Sequence, residues 1–243
     1  MAQIFPKWSN DVPYLATLGI VVGGAVATAG IWWWFSPEHT DVGYQPVQPI
    51  EYSHKLHVGT LGMDCRYCHA YVERGPHAGV PATQTCMNCH TQVKKDSPLL
   101  EPLRKSWAEG KGNDPIPWKR IHKVPDYAYF DHSAHVGVGF GANRAAIGCE
   151  TCHGRIDTME RVRQVKPLSM SWCIECHNDP ARNLRPVEAL TRMGYTPDLE
   201  FRDKAQKIAA TLLPPGSHSR ALTFLADGSH ETRASAGCTG CHR

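Results

Sequence analysis

Ten cysteines and five histidines of this chain stand in one repeated order. Cys65-Arg66-Tyr67-Cys68-His69, Cys86-Met87-Asn88-Cys89-His90, Cys149-Glu150-Thr151-Cys152-His153, Cys173-Ile174-Glu175-Cys176-His177 and Cys238-Thr239-Gly240-Cys241-His242 all follow the pattern C-x-x-C-H. Two thiols at this spacing add across the vinyl groups of a haem to form thioethers, and the adjoining imidazole becomes the proximal ligand of the iron. The macrocycle itself sets the spacing. For a chain of this cysteine and histidine content, random order yields on the order of a few hundredths of one such match. The five motifs use all 10 cysteines, leaving none for a disulfide, a zinc site or an iron–sulfur cluster. The sequence therefore predicts five covalently bound haem c groups.

An iron held by protein on both faces transfers electrons, whereas an open face permits catalysis. Of the 14 histidines, nine lie outside the motifs: His39, His54, His57, His77, His122, His132, His135, His218 and His230. Tyr52-Ser53-His54-Lys55-Leu56-His57-Val58-Gly59 precedes the first motif and Phe130-Asp131-His132-Ser133-Ala134-His135-Val136-Gly137 precedes the third. Both read aromatic-x-H-x-x-H-V-G, and each is followed by two motifs, with first cysteines 21 and 24 residues apart. This is a duplicated two-haem module. On a helical turn the two imidazoles of H-x-x-H project from one face and can reach two neighbouring haems, so His54, His57, His132 and His135 are expected as distal ligands. For the fifth distal position His122, Met159 and Met170 are rivals, with His77, His230 and His218 behind them. Thioether ligation would raise a haem potential; core packing is the commoner fate of a methionine. Arg66, Arg74, Arg155, Arg161 and Arg163 are candidates to pair with haem propionates, against a plain solvated role. Enough ligands exist to saturate five irons, which favours low-spin haems, electron transfer and no catalytic residue.

The elements that position these groups are mostly short. From Tyr14 to Phe35 the chain runs 22 residues without a charge, long enough to cross a membrane as a helix. Trp8 and Tyr14 flank one end and Trp32, Trp33, Trp34 and Phe35 the other, as interfacial belts do. Ala25-Val26-Ala27 resembles a signal-peptide cleavage site, but the apolar run is too long and its leader barely basic, so a retained anchor is expected. Gly19, Gly23 and Ala27 share one helical face suited to packing against another span. Lys7 precedes the span while Glu38 and Asp41 follow it, which favours an N-terminus in the cytoplasm and a haem domain outside it.

The expected organisation is a cytoplasmic segment 1–13, a transmembrane helix 14–35, an extended Pro-containing tether 36–50 and a pentahaem domain 51–243. That domain contains two-haem modules 51–100 and 128–185 and a fifth-haem tail 186–243. Helices are expected near Leu99 to Ala108 and over Leu199 to Leu213, the latter burying Phe201, Ile208 and Leu212, with Trp107 and Trp118 as anchors against haem faces. The Gly-rich stretch from Gly137 to Gly141 lacks the strand and βαβ context of a nucleotide loop. With 21 glycines and 18 prolines and little apolar sequence outside the anchor, the fold class is a mainly irregular and α-helical multihaem cytochrome c. Its haem packing is of the class III or c7 type, with little or no sheet, and the haems supply much of the buried surface. A net charge of only +3 gives no footprint for nucleic acid.

The run of a single span, Y-S-H-K-L-H-V-G, G-M-D-C-R-Y-C-H, T-C-M-N-C-H, R-I-H-K-V-P-D-Y, F-D-H-S-A-H-V and L-S-M-S-W-C-I-E-C-H resembles the membrane-anchored pentahaem cytochrome subunit of bacterial alternative complex III. The likeness extends from about Tyr52 to Pro186, with the anchor matched by position and the tail by its last motif. It implies a quinol-oxidising complex of the cytoplasmic membrane, with integral membrane and iron–sulfur subunits as partners, membrane lipid around the anchor and a periplasmic acceptor such as a cytochrome c or a copper protein. It also implies mostly bis-histidine haems with one His/Met. A membrane-anchored multihaem quinol dehydrogenase feeding a periplasmic reductase is the second expectation, and a catalytic multihaem reductase the third.

Overall fold

The computed structural model describes residues 4–108, 114–137, 145–212, 223–224, 230–231 and 241–242. The chain divides into two compact units, Met1–Val42 and Gly43–Arg243.

The first unit is dominated by helix α1, Val12–Trp34. At 1.5 Å per residue its 23 residues reach about 35 Å, more than the roughly 30 Å of a bilayer core. It is a candidate membrane span, starting two residues before the expected Tyr14 because Pro13 suits a first helical turn. Thr17 and Thr28 donate their hydroxyls to the carbonyls of Pro13 and Gly24 at 2.8 Å, which removes polar groups from the helix surface. Helix α2, Pro37–Thr40, follows, so the expected extended tether opens with a helical turn. There His39 packs its ring 4.7 Å from Trp34 and 6.3 Å from Trp33.

The second unit begins inside the expected tether. Gly43 N–H donates to the Gln164 carbonyl at 2.8 Å, and Gln164 N–H to Tyr44 at 3.1 Å. Gln48 exchanges two side-chain hydrogen bonds of 2.9 Å with the Lys119 backbone. Residues 43–50 therefore pack onto the second unit, and Ile50 is buried in it. Among the described residues regular structure is sparse: helices α3 (Cys65–Cys68), α4 (Thr83–His90), α5 (Glu101–Trp107), α6 (Cys149–His153), α7 (Met170–Asn178) and α8 (Leu199–Leu212), and two antiparallel two-stranded ribbons. One ribbon pairs β1 (Ala145–Ile147) with β2 (Leu184–Pro186), with Ala146 opposite Arg185. The other pairs β3 (Thr223–Phe224) with β4 (His230–Glu231).

Among the described residues the core is three small clusters. Phe201, Ala205 and Ile208 of α8 cover Ala145, Ile147 and Leu184 of the first ribbon. Leu212, the third residue expected to be buried, lies outside the described side chains. Val72, Val136, Ala146 and Leu190 form the second cluster, against Cys149. Ile50, Met87 and Leu103 form the third, against Cys86, Trp107 and Trp118. Two of the three thus abut an attachment cysteine, as expected if haem faces complete the core. Gly59 is needed where it stands, because a Cβ there would strike the Asp157 carbonyl.

Candidate haem-binding sites

Four of the five C-x-x-C-H motifs lie on helices α3, α4, α6 and α7, so their thiols, three residues apart, share one face. In the fifth, Cys238 lies outside the described residues, and His242 bridges to Ala128. Asp64 caps α3 by accepting the Arg66 N–H at 2.8 Å, and Ser169 caps α7 by accepting from Trp172.

The second histidine of each H-x-x-H, His57 and His135, lies on a π-helical turn, Lys55–Thr60 and Ser133–Gly137, with His54 and His132 immediately before it; this wider coil recurs at functional sites. The duplication is reproduced in detail. Tyr52 meets His54 edge-on at 4.7 Å and stacks on His57 at 4.3 Å; Phe130 meets His132 edge-on at 4.8 Å and stacks on His135 at 4.7 Å. Nδ1 of His57 lies 2.8 Å from the Ser53 carbonyl, and that of His135 lies 2.7 Å from Asp131. The aromatic residue two positions before each H-x-x-H thus fixes both imidazoles. Its recurrence is visible in the sequence, its role only in the structure.

Three motif histidines face an H-x-x-H histidine. Ring centres are 6.2 Å apart for His57 and His90, 6.3 Å for His132 and His153, and 6.1 Å for His135 and His177. Two imidazoles on opposite sides of one metal, each bonded at about 2 Å with its ring radius beyond, have centres roughly 6 Å apart. The residues present therefore fit an iron between each pair. Tautomers agree. Nδ1 of His69, His90, His132 and His242 lies 2.7, 2.9, 2.7 and 3.3 Å from the carbonyl oxygens of Gly79, Val93, Pro76 and Tyr127. A carbonyl only accepts, so Nδ1 carries the proton and Nε2 keeps a lone pair for metal. Sequence reasoning did not find these carbonyls, because backbone acceptors leave no residue signature.

His122 stands 4.3 Å from His153, edge-on. That is too close for the two to take opposite faces of one metal. Its buried Nε2 and the buried Nδ1 of His54 have no hydrogen-bond partner among the described residues. Burial pushes His54 and His122 down to about 4 and His153 to about 3, with neighbouring histidines adding to the effect. Neutral imidazole, the form that binds metal, is thereby secured. Met159 is buried, and its carbonyl accepts the Lys55 N–H at 3.0 Å. Met170 opens α7 and is 65% exposed.

The attachment cysteines approach one another. As free thiols Cys65 and Cys149 influence each other, which holds Cys65 low and, with burial, pushes Cys149 up. Burial raises Cys152 to about 12, with Cys176 and Cys173 nearby. Of the arginines expected near propionates, Arg66 pairs with Asp64 and Glu73, Arg155 with Asp157 and Glu150, and Arg161 with Glu51. Arg155, Arg161 and Arg163 also line a cleft of about 600 Å³ beside Tyr52, Ser53 and Met159.

No family model matches the chain. It is similar to the menaquinone reductase multihaem cytochrome c subunit of Nitratidesulfovibrio vulgaris (strain Hildenborough), at 35% identity over 130 residues, 54% of this chain and 56% of that protein. The chain thus spans just over half the length of that curated relative. Taken with the C-x-x-C-H motifs and the candidate span, the likeness supports a membrane-associated multihaem cytochrome that binds haem covalently through thioethers.

Proposed function

We propose that the chain is the electron-transfer subunit of a quinone-linked complex of the cytoplasmic membrane, holding five haem c groups and exchanging electrons with a periplasmic partner. The observation that carries this reading is the trio of facing imidazoles, His57 with His90, His132 with His153 and His135 with His177, at 6.1–6.3 Å. When bound, haem supplies a one-electron iron couple. At three motifs the chain's own residues would hold that couple, His90, His153 and His177 from one side and His57, His132 and His135 from the other. Tyr52 and Phe130 keep the distal rings from turning. The carbonyls of Ser53, Asp131, Gly79, Val93 and Pro76 retain the Nδ1 protons.

His54, buried with an unpartnered ring nitrogen and neighbouring His69, is the candidate opposite it, and His122, likewise buried and unpartnered, is a rival of Met159 and Met170 for the fifth distal position. The three positions closed on both sides leave no room for substrate, which supports a subunit that is not catalytic by itself. Helix α1 is the anchor, with its N-terminus in the cytoplasm and residues 43–243 on the periplasmic side.

Two complexes accommodate such a subunit. In one of the alternative complex III type, electrons leave quinol for a periplasmic cytochrome c or copper protein through integral membrane and iron–sulfur partners. In the other, favoured by the relative's description as a menaquinone reductase subunit, they run towards menaquinone. Affinity purification from detergent-solubilised membranes, followed by assay of the isolated complex, tests both. Quinol-driven haem reduction that proceeds to a periplasmic acceptor supports the first, and menaquinone reduction by a periplasmic donor supports the second. A chain that purifies alone and exchanges electrons with neither contradicts the proposal.

A further inference from the structure

Contacts among the motifs do not follow their order in the chain. Asn88 of the second motif donates its amide to the Tyr67 hydroxyl of the first at 3.1 Å. Tyr52 sits among thiols of the same two motifs. The first motif meets the third through the second H-x-x-H turn, where His132, facing His153, hydrogen-bonds the Pro76 carbonyl in the loop after the first motif. The third meets the fourth because His132 and His135, on that one turn, face His153 and His177. The fourth meets the fifth through Phe130, which stacks on His135, and Tyr129, whose N–H donates to the Cys241 carbonyl at 2.7 Å. Tyr127 adds a ring contact of 5.6 Å with His242.

We propose that the five attachment motifs form a single file in the order second, first, third, fourth, fifth, and that redox partners exchange electrons with this subunit at the second and fifth motifs. The inference rests on the five-haem reading above. The join between the duplicated modules, where His132 meets Pro76, is then the middle of the file. At one end of the file, Asn88 and Cys89 are exposed and the following residues 91–96 are exposed throughout, which leaves the second motif open to a docking protein. With haem bound at each motif, the iron would supply a one-electron couple, and each passage between neighbours would make or break no bond. A quinol-class donor gives up two electrons in two such passages and releases its two protons outside the file.

The test is a haem-resolved redox titration of the full-length haem-loaded protein, followed by NMR of the ring methyl groups, in two variants. His57→Met raises the potential of the haem on Cys86 and Cys89 through thioether ligation. Because electrostatic coupling falls with distance, the midpoints of the other haems shift in decreasing order at the first, third, fourth and fifth motifs. His135→Met perturbs the haem on Cys173 and Cys176, and the largest shifts fall at the third and fifth. A largest shift at the fourth or fifth haem in the first variant, or at the first or second haem in the other, overturns the file, as does an equal shift at all. Counting thioether-linked haems by mass spectrometry separates the two claims. Five haems with another order of shifts defeat the file alone, whereas fewer than five defeat the five-haem reading and the file with it.

Discussion

The imidazole of His57 faces that of His90 with 6.2 Å between ring centres, although 33 residues separate them in the chain. The duplicated module repeats the relationship at 6.1 Å for His135 and His177. The two modules thus keep one ring-centre spacing, each with an aromatic ring stacked on the H-x-x-H imidazole, and that spacing fits a ligand between the rings.

Removing either distal ring should open one iron and leave the rest closed. In His57→Ala and in His135→Ala, one of five haems is expected to become high-spin and to bind carbon monoxide when reduced. Optical titration with the gas checks it: one equivalent per chain in each single variant, two in the double.

Tyr52 and Phe130 should contribute alike, since each stacks on one histidine and meets another edge-on. Replacing either by leucine keeps apolar volume but loses the ring contacts, worth about 1 kcal/mol, which lowers Tm by about 2–4 °C at this size. Tyr52→Phe should keep the wild-type value. Thermal melts of the haem-loaded protein make the comparison.

Asp64 caps α3, pairs with Arg66 and accepts the Thr191 hydroxyl at 2.8 Å. The Arg66 hydrogen bond holds its carboxyl at about 2, below its ordinary 3.8. A depressed carboxyl stabilises the fold fully above its unfolded value and loses that contribution as pH falls through its folded value. Denaturant titrations between about pH 5 and 2 should therefore show a flatter acid limb for Asp64→Asn than for wild type. The side chain is 42% exposed, so solvent screening keeps the difference below about 1 kcal/mol. Asp64→Ala also loses the cap, costing about 1 kcal/mol at any pH.

Helix α8 is attached to the β1–β2 ribbon by Phe201, Ala205 and Ile208. Phe201→Ala should cost about 3–5 kcal/mol through the cavity it leaves. Urea unfolding with haem absorbance and helix circular dichroism as parallel probes will detect it. Loss of a common midpoint between the probes would show α8 separating before the haem motifs.

What the sequence disclosed tracks how locally each feature is determined. Covalent chemistry fixes the C-x-x-C-H spacing within five residues, and the H-x-x-H repeat declares itself by recurrence. An apolar run declares α1, and 3.6-residue periodicity declares α8 with its buried Phe201 and Ile208. Which imidazole faces which depends on packing across dozens of residues, so His132 opposite His153, with His122 edge-on beside it, had no local signature. The β1–β2 strands are three residues each, too short for an alternating pattern. Arg66, Arg155 and Arg161 found carboxylates because Asp64, Asp157 and Glu51 fold beside them. Residues 43–50 read as a tether because their hydrogen-bond partners, Gln164 and Lys119, lie far along the chain.

Electron paramagnetic resonance of the oxidised, full-length protein, quantified against thioether-bound haem, bears most directly on the claim that every iron is held from both faces. Low-spin ferric signals integrating to about five per chain, with no stoichiometric high-spin component, are the predicted result. A high-spin ferric signal near one equivalent in unmodified protein would contradict it and turn the conduit into a catalyst.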